Sequence, residues 1–152
     1  MGKRRKAREM AMQALYYMDT GKDVSHDAVE LYIECFRPSE DIDSFFVKLA
    51  GGVVDNWWRI NEIIDKFSSN WKINRMSCVD RNILRIAVFE LVFCQDIPPK
   101  VSINEAIDIG KKYGTEESGA FINGILDSIR QALEKGEANR EHGGFQSNEN
   151  KI

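Results

Sequence analysis

Cysteine, proline and histidine are scarce in this 152-residue chain, which has three, three and two of them. The number of cysteines is odd, and the intervals between Cys35, Cys78 and Cys94 are 43 and 16 positions. This count and spacing suit neither a disulfide framework nor a metal cluster. We therefore expect reduced thiols in a cytoplasmic protein. With only His26 and His142 present, a zinc site of histidines and cysteines is not expected.

Long apolar runs and enzyme motifs are also missing. No apolar stretch approaches the ~20 residues of a membrane-spanning helix, and no signal-peptide core follows the basic start. The chain has no glycine-rich phosphate loop and no Gly-x-Ser-x-Gly nucleophile elbow, and His26, in an acidic and polar stretch, fits a surface histidine better than a catalytic base. A binding protein without catalytic residues, metal or cofactor is therefore favoured over an enzyme.

The net charge of −3 is the sum of two unlike parts. Residues 1–8 carry five cations and no acid, and removing those five leaves 16 cations against 24 acids, a charge of −8. Because the rest of the chain is acidic, any contact with nucleic acid must be local, and the basic end is the obvious place for it. The alternative interpretation of this end is a solvated, frayed terminus.

Apolar residues recur at helical spacing along most of the chain, and no strand-like alternation competes with them. The pattern predicts an all-α protein of six or seven helices in one compact unit. We expect the first helix to end at Gly21 and the second to begin at an N-cap, Ser25. A long helical pattern from Asp41 to Phe67 contains Gly51-Gly52, where a kink or a close helix crossing is expected.

The second half of the chain carries further helix signals. Ser77 is expected to cap a central helix that is apolar nearly all round, Ser102 and Glu105 to form a capping box, and Thr115 to cap the last helix. Residues 1–136 are predicted to form one domain. Residues 137–152 are polar with few apolar side chains, and we expect a disordered tail there.

Three ordered stretches together resemble one protein family. The first runs from Arg4 to Tyr16 and contains Arg-Arg-Lys-Ala-Arg-Glu; the second runs from Asp80 to Leu91 and contains Leu-Arg-Ile-Ala. The third, from Ile97 to Asp127, contains Ile-Asn-Glu-Ala and Lys-Tyr-Gly-Thr-Glu. In this order and at this spacing, over about residues 4–134, the chain resembles the NusB family of transcription antitermination factors.

The resemblance implies two small helical bundles packed together. It also implies an RNA-binding adaptor, without catalysis or cofactor, that pairs with the ribosomal protein NusE. The pair binds the boxA element of nascent ribosomal RNA leader transcripts and helps RNA polymerase to read past terminators. These properties are expectations that the residues themselves have to support.

Candidate RNA contacts follow from the chemistry of single-stranded RNA, which offers phosphates to cations and splayed bases to aromatic rings. Arg4, Arg5 and Arg8 fall largely off the apolar stripe of the first helix, so we expect their guanidiniums to lie in water. Together with Lys6 they supply positive charge at a helix end that is free to lie along an RNA strand. Arg5 and Arg8 are favoured because arginine binds phosphate in a bidentate manner. The loop from Lys112 to Phe121 adds a second, weaker candidate surface, in which Phe121 fits a core position better than a stacking platform for a base.

The partner surface of the family maps by position to Tyr16, Glu90 and Asp127. Glu90 is the only acid in the apolar stretch from Ile83 to Phe93, and such an acid needs solvent or a cationic partner. An exposed Glu90 on a solvated edge, and a Tyr16 that is half-buried for packing, are the alternatives.

Two other classes of protein fit part of the pattern. RNA cytosine methyltransferases carry a similar N-terminal domain, but we expect no catalytic domain here because only a polar tail follows. A homodimeric helical adaptor that does not bind RNA on its own is the second class, since some family members self-associate through the surface that meets NusE. The sequence leaves the oligomeric state open.

Overall fold

The computed structural model describes residues 2–136, and this part of the chain is all-α, as predicted. Its helices are α1 (Gly2–Gly21), α2 (His26–Phe36), α3 (Glu40–Asp55), α4 (Trp57–Phe67), α5 (Cys78–Phe93), α6 (Pro99–Tyr113) and α7 (Ser118–Glu134), with a 3-10 turn at Ile73–Arg75. The tail predicted at 137–152 lies outside the described residues. Among the described helices, none combines the length and the apolarity that crossing a membrane would require.

The helices form two small bundles that share one core. Helices α1, α2 and α3 pack together, helices α4 to α7 form the second bundle, and α1 and α3 both pack along α5. Every residue of α5 from Asn82 to Val92 is buried. The near-uniform apolarity of this helix therefore reflects its central position, because a helix that is apolar on all sides must be covered on all sides.

Two of the predicted helix starts are confirmed and two are wrong. Ser25 and Ser77 cap α2 and α5, each accepting a 3.1 Å hydrogen bond from the backbone N–H three residues ahead. Ser102, however, lies inside α6, which begins at Pro99 because proline is preorganised for the first helical position. Thr115 precedes α7 by three residues, and its N–H donates to the Ser118 side chain at 2.9 Å.

The long pattern from Asp41 to Phe67 is split into α3 and α4 at Asn56, not at the glycines. The Asn56 side chain donates to the carbonyl of Gly52 at 2.8 Å. Gly51 and Gly52 lie inside α3, and the ring of Phe89 on α5 occupies the space where a Gly52 Cβ would stand. Of the two expectations for the glycine pair, the close helix crossing is therefore confirmed at Gly52.

We expect Gly52→Ala to lower the free energy of unfolding by about 1–3 kcal/mol, the range for overpacking a filled core. Gly51→Ala is the matched control, because its Cβ would meet only the His26 ring at 3.6 Å. Alanine favours a helix over glycine by roughly 1 kcal/mol, so the control should be neutral or stabilising. Urea unfolding followed by circular dichroism measures both, and equal effects would contradict the crossing.

Candidate nucleic-acid and protein interfaces

The first turn of α1 presents several of the cations predicted to contact RNA. Arg4 and Lys6 are exposed and Arg5 is half-buried. The Arg4 guanidinium lies 4.4 Å from the centroid of the Phe45 ring on α3. The first turn contains no acid, so the positive end of the helix dipole and these side chains favour an anion at the same place.

Arg5 is less available than the sequence suggested. Its Nε and Nη2 donate to the two carboxylate oxygens of Glu105 at 2.6 and 2.9 Å, and Nη2 also donates to Asp108 at 3.0 Å. The hydrogen bond to Glu105 raises the pKa of Arg5 and lowers the pKa of Glu105. The bidentate geometry that favoured Arg5 as a phosphate ligand is therefore used by a carboxylate of α6.

The prediction that the Arg8 guanidinium lies in water is wrong. Arg8 is 4% exposed, and it donates from Nε and Nη2 to the two oxygens of Glu90 at 2.7 and 2.9 Å. Glu90 is 1% exposed and also accepts a 2.7 Å hydrogen bond from Ser102. These contacts tie α1, α5 and α6 together, so neither Arg8 nor Glu90 is available to RNA or to a partner.

Arg8 is buried rather than exposed because Glu90 requires a cation beside it. A carboxylate in the middle of a buried helix must be paired, and Arg8 supplies the pair from within the chain. The two residues are 82 positions apart. The sequence indicated that Glu90 needs either solvent or a cationic partner. The structure shows a cationic partner, and this partner belongs to the same chain.

The second candidate surface adjoins the first through Glu9. This buried carboxylate of α1 accepts from Lys112 at 3.1 Å and from the Tyr113 hydroxyl at 3.1 Å. The hydrogen bond to Glu9 raises the pKa of Lys112, whose side chain nevertheless stays more than half exposed. Phe121 is half-buried and packs against the core, so only part of its side chain is open to a ligand.

Tyr16 and Asp127 lie on different helices and have separate neighbours. Tyr16 is 38% exposed, and its ring meets that of Tyr17 edge-on at 6.2 Å. Asp127 accepts from Arg130 at 2.6 Å and from Gln131 at 2.8 Å, both on α7. The hydrogen bond from Arg130 lowers the pKa of Asp127. No hydrogen bond or ion pair within residues 2–136 joins Tyr16 to Asp127 or either to Glu90.

A second charged cluster, centred on Asp19, escaped the sequence analysis. Asp19 at the end of α1 accepts from Arg81 at 2.7 Å, from Arg85 at 2.8 Å and from Asn82 at 3.0 Å. Burial acts to raise the pKa of Asp19, but the hydrogen bonds from Arg81 and Arg85 outweigh it and lower the pKa to about 2. The Arg85 guanidinium also lies 3.9 Å from the Trp57 ring centroid. The start of α5 carried a signal in its Arg-Asn-x-x-Arg spacing, but nothing local pointed to Asp19.

Comparison with known proteins identifies the family. A sequence profile of the NusB family matches residues 5–131. The chain is 54% identical over 137 residues to the transcription antitermination protein NusB of Desulfatibacillum aliphaticivorans, with 90% of this chain and 96% of that protein covered. The chain belongs to the NusB family. It is also 46% identical over 132 residues to the NusB protein of Pelotomaculum thermopropionicum, covering 87% of this chain and 92% of that protein.

Solved NusB structures share the fold. A structure of T. maritima NusB superposes with a TM-score of 0.76 at 37% identity, over 89% of this chain and 97% of that one. A chain from a crystal structure of the antitermination factors NusB and NusE in complex with double-stranded RNA gives a TM-score of 0.77 at 31% identity. That match covers 87% of this chain and 98% of the other. The NusB family membership and the arrangement of helices therefore agree.

Proposed function

We propose that this NusB-family chain is an RNA-binding adaptor of transcription antitermination. It pairs with a NusE ribosomal protein, binds boxA RNA of nascent ribosomal RNA leader transcripts and joins the antitermination complex on RNA polymerase. The family membership and the likeness to a NusB chain crystallised with NusE and RNA support this proposal. The observation that carries the RNA contact is the acid-free first turn of α1, with Arg4 and Lys6 exposed.

The proposed RNA surface is centred on Arg4 and Lys6. Lys112 extends it, because its bond to Glu9 holds the end of α6 about one turn of α1 beyond Lys6. The half-buried Arg5 and the outer face of Phe121 contribute at its edges. RNA phosphates would meet a positively charged strip whose side chains are positioned by α1 and α6.

The proposed NusE surface keeps Tyr16 and Asp127 from the family resemblance and omits Glu90. Tyr16 offers an exposed aromatic ring with a hydroxyl, a residue type that is enriched where proteins bind one another. Asp127 offers a carboxylate at the surface of α7. Because Glu90 is enclosed, a variant at that position would report on folding rather than on NusE binding.

A titration of labelled boxA RNA against the protein, alone and with NusE, tests the proposal. We expect Arg4→Gln/Lys6→Gln to weaken RNA binding and to reduce the slope of log K against log salt by about 1.4, since each lost phosphate contact on a single strand removes ~0.7. The measurement is fluorescence anisotropy over roughly 50–200 mM salt.

The matched control is Lys66→Gln/Lys135→Gln, which removes two exposed cations from α4 and from the residue after α7. This variant lowers the net charge equally and should keep the slope of the wild type. Equal slopes for wild type and Arg4→Gln/Lys6→Gln would show that the basic end is a solvated terminus. If sedimentation finds a stable dimer that binds neither RNA nor NusE, the homodimeric adaptor is the correct function.

A further inference from the structure

An apolar groove lies between the C-terminal half of α1 and helix α2. Tyr17, Met18, Leu31, Tyr32 and Phe36 line it. Tyr17, Leu31 and Phe36 expose 59, 60 and 55% of their surfaces. Single exposed apolar residues are ordinary, but three large ones around one groove are typical of an interaction site.

Contacts between aromatic rings hold the walls of the groove. Tyr32 lies 4.4 Å from Phe36, 6.4 Å from Tyr17 and 5.5 Å from Phe46 of α3, measured between ring centroids. Phe46 is fully buried in the core. These contacts restrict the ring side chains before a ligand binds. Binding would therefore cost little of the conformational entropy of these side chains.

The rim of the groove is acidic. Asp23 lines the groove, and Asp27 and Glu34 lie on the same face of α2 as Leu31, one turn before and one turn after it. All three acids are exposed, and within residues 2–136 none of them forms an ion pair. Residues 19–43 contain eight acids and two cations, Lys22 and Arg37, which lie beyond the two ends of α2.

The acidic charges around the groove indicate which kind of molecule can bind in it. RNA would bring phosphates against carboxylates that form no ion pair in the described part of the chain, and a second copy of this chain related by a two-fold axis would set this acidic rim against itself. A helix with an apolar stripe and flanking lysines or arginines matches both the groove and the rim, as in other helix-in-groove complexes. We propose that the α1–α2 groove docks a cationic amphipathic helix of a partner protein, at a surface separate from the RNA-binding basic end.

The test uses a fluorescein-labelled synthetic helix of about 18 residues with leucines along one face and lysines elsewhere, titrated into the full chain. Two further peptides control for its features: one has glutamate in place of lysine, and the other has the same composition scrambled so that no stripe remains. We expect the lysine helix to bind at least about tenfold more tightly than either control. Equal binding of the scrambled peptide would overturn the proposal.

Substitutions in the α1–α2 groove test whether the peptide binds there. Leu31→Ser/Phe36→Ser should weaken binding by about tenfold or more, and Leu31→Ser alone, at a side chain that is 60% exposed, should act in the same direction without endangering the fold. Asp27→Asn/Glu34→Gln should weaken binding by about threefold and flatten its salt dependence. The matched controls, Val101→Ser and Glu116→Gln/Glu117→Gln, change exposed residues elsewhere and should stay within about twofold.

Three further results would overturn the proposal. The first is unchanged peptide affinity for Leu31→Ser/Phe36→Ser when circular dichroism shows the helices intact. The second is a dimer, seen by sedimentation, that Leu31→Ser dissociates, because a second copy would then occupy the groove. The third is an equal loss of boxA RNA binding in the same variants, because the two surfaces would not be separate. Failure of RNA binding in the wild type would leave the peptide result unaffected, so the two proposals fail independently.

Discussion

Replacing Arg8 by methionine is expected to lower the free energy of unfolding by about 3–5 kcal/mol, because the Glu90 carboxylate would stay buried without its cation. Glu90 is 1% exposed, and its carboxylate accepts two hydrogen bonds from Arg8 and one from Ser102. Ser102 alone cannot replace a charge-assisted bidentate pair. Urea unfolding followed by circular dichroism measures the loss.

The double variant Arg8→Met/Glu90→Leu separates the pair from its parts. Removing both charges replaces a buried ion pair by apolar side chains, which is often close to neutral, so we expect most of the stability to return. The double-mutant cycle then gives the coupling energy directly. Lys6→Met, on the same helix but exposed, is the control and should change stability by no more than about 0.5 kcal/mol. A similarly small effect of Arg8→Met would contradict the buried pair.

Glu90→Lys illustrates why this pair matters for functional tests. The substitution would place a buried ammonium beside Arg8, so two cations would share a site without a counter-charge. We expect the protein not to fold. A loss of NusE binding in that variant would therefore give no information about the partner surface.

The sequence predicted the helices well because each one has a local signal. The apolar stripe of α1, the Ser25 and Ser77 caps and the apolar run of α5 all depend on residues within one or two turns. The two wrong caps show the limit of local signals. The Ser102 to Glu105 spacing matches a capping box, yet Glu105 forms an ion pair with Arg5 of α1, and Ser102 donates a hydrogen bond to Glu90 of α5. A preference for a cap is about 1 kcal/mol, and a buried charge outweighs it.

For the basic residues of α1, the sequence predicted exposure correctly only where the position in the helix determines it. Arg4 and Lys6 are exposed because they lie at the free end of α1. Arg8 lies only about one turn further along α1, but α5 and α6 cover that turn. Its partner, Glu90, is 82 positions away in the sequence. Pairing over such separations depends on how the helices pack, and no local sequence signal specifies it. Glu90, the single acid between Ile83 and Phe93, was the available clue, because it indicated either solvent or a cationic partner but did not identify that partner.

The Asp19 cluster predicts how stability depends on pH. The pKa of Asp19 is about 2 in the folded protein, against an ordinary value of 3.8. A carboxyl with a lowered pKa stabilises the folded state at pH values above its unfolded pKa, and this contribution is lost as the pH falls towards the folded pKa. The difference corresponds to about 2.5 kcal/mol at neutral pH, lost between roughly pH 5 and pH 2.

Asp19→Asn should therefore be less stable than the wild type by about 2–3 kcal/mol at pH 7, because Arg81 and Arg85 lose the charge between them. The gap should narrow as the pH falls below about 4, since protonation of Asp19 makes the wild type resemble the variant. Urea unfolding at several pH values measures the gap. Glu116→Gln, which removes an exposed carboxylate, is the control and should follow the wild type closely at every pH. A gap for Asp19→Asn that stays constant down to about pH 2 would show that the loss comes from packing rather than from the carboxylate, because only a titrating charge makes the difference depend on pH.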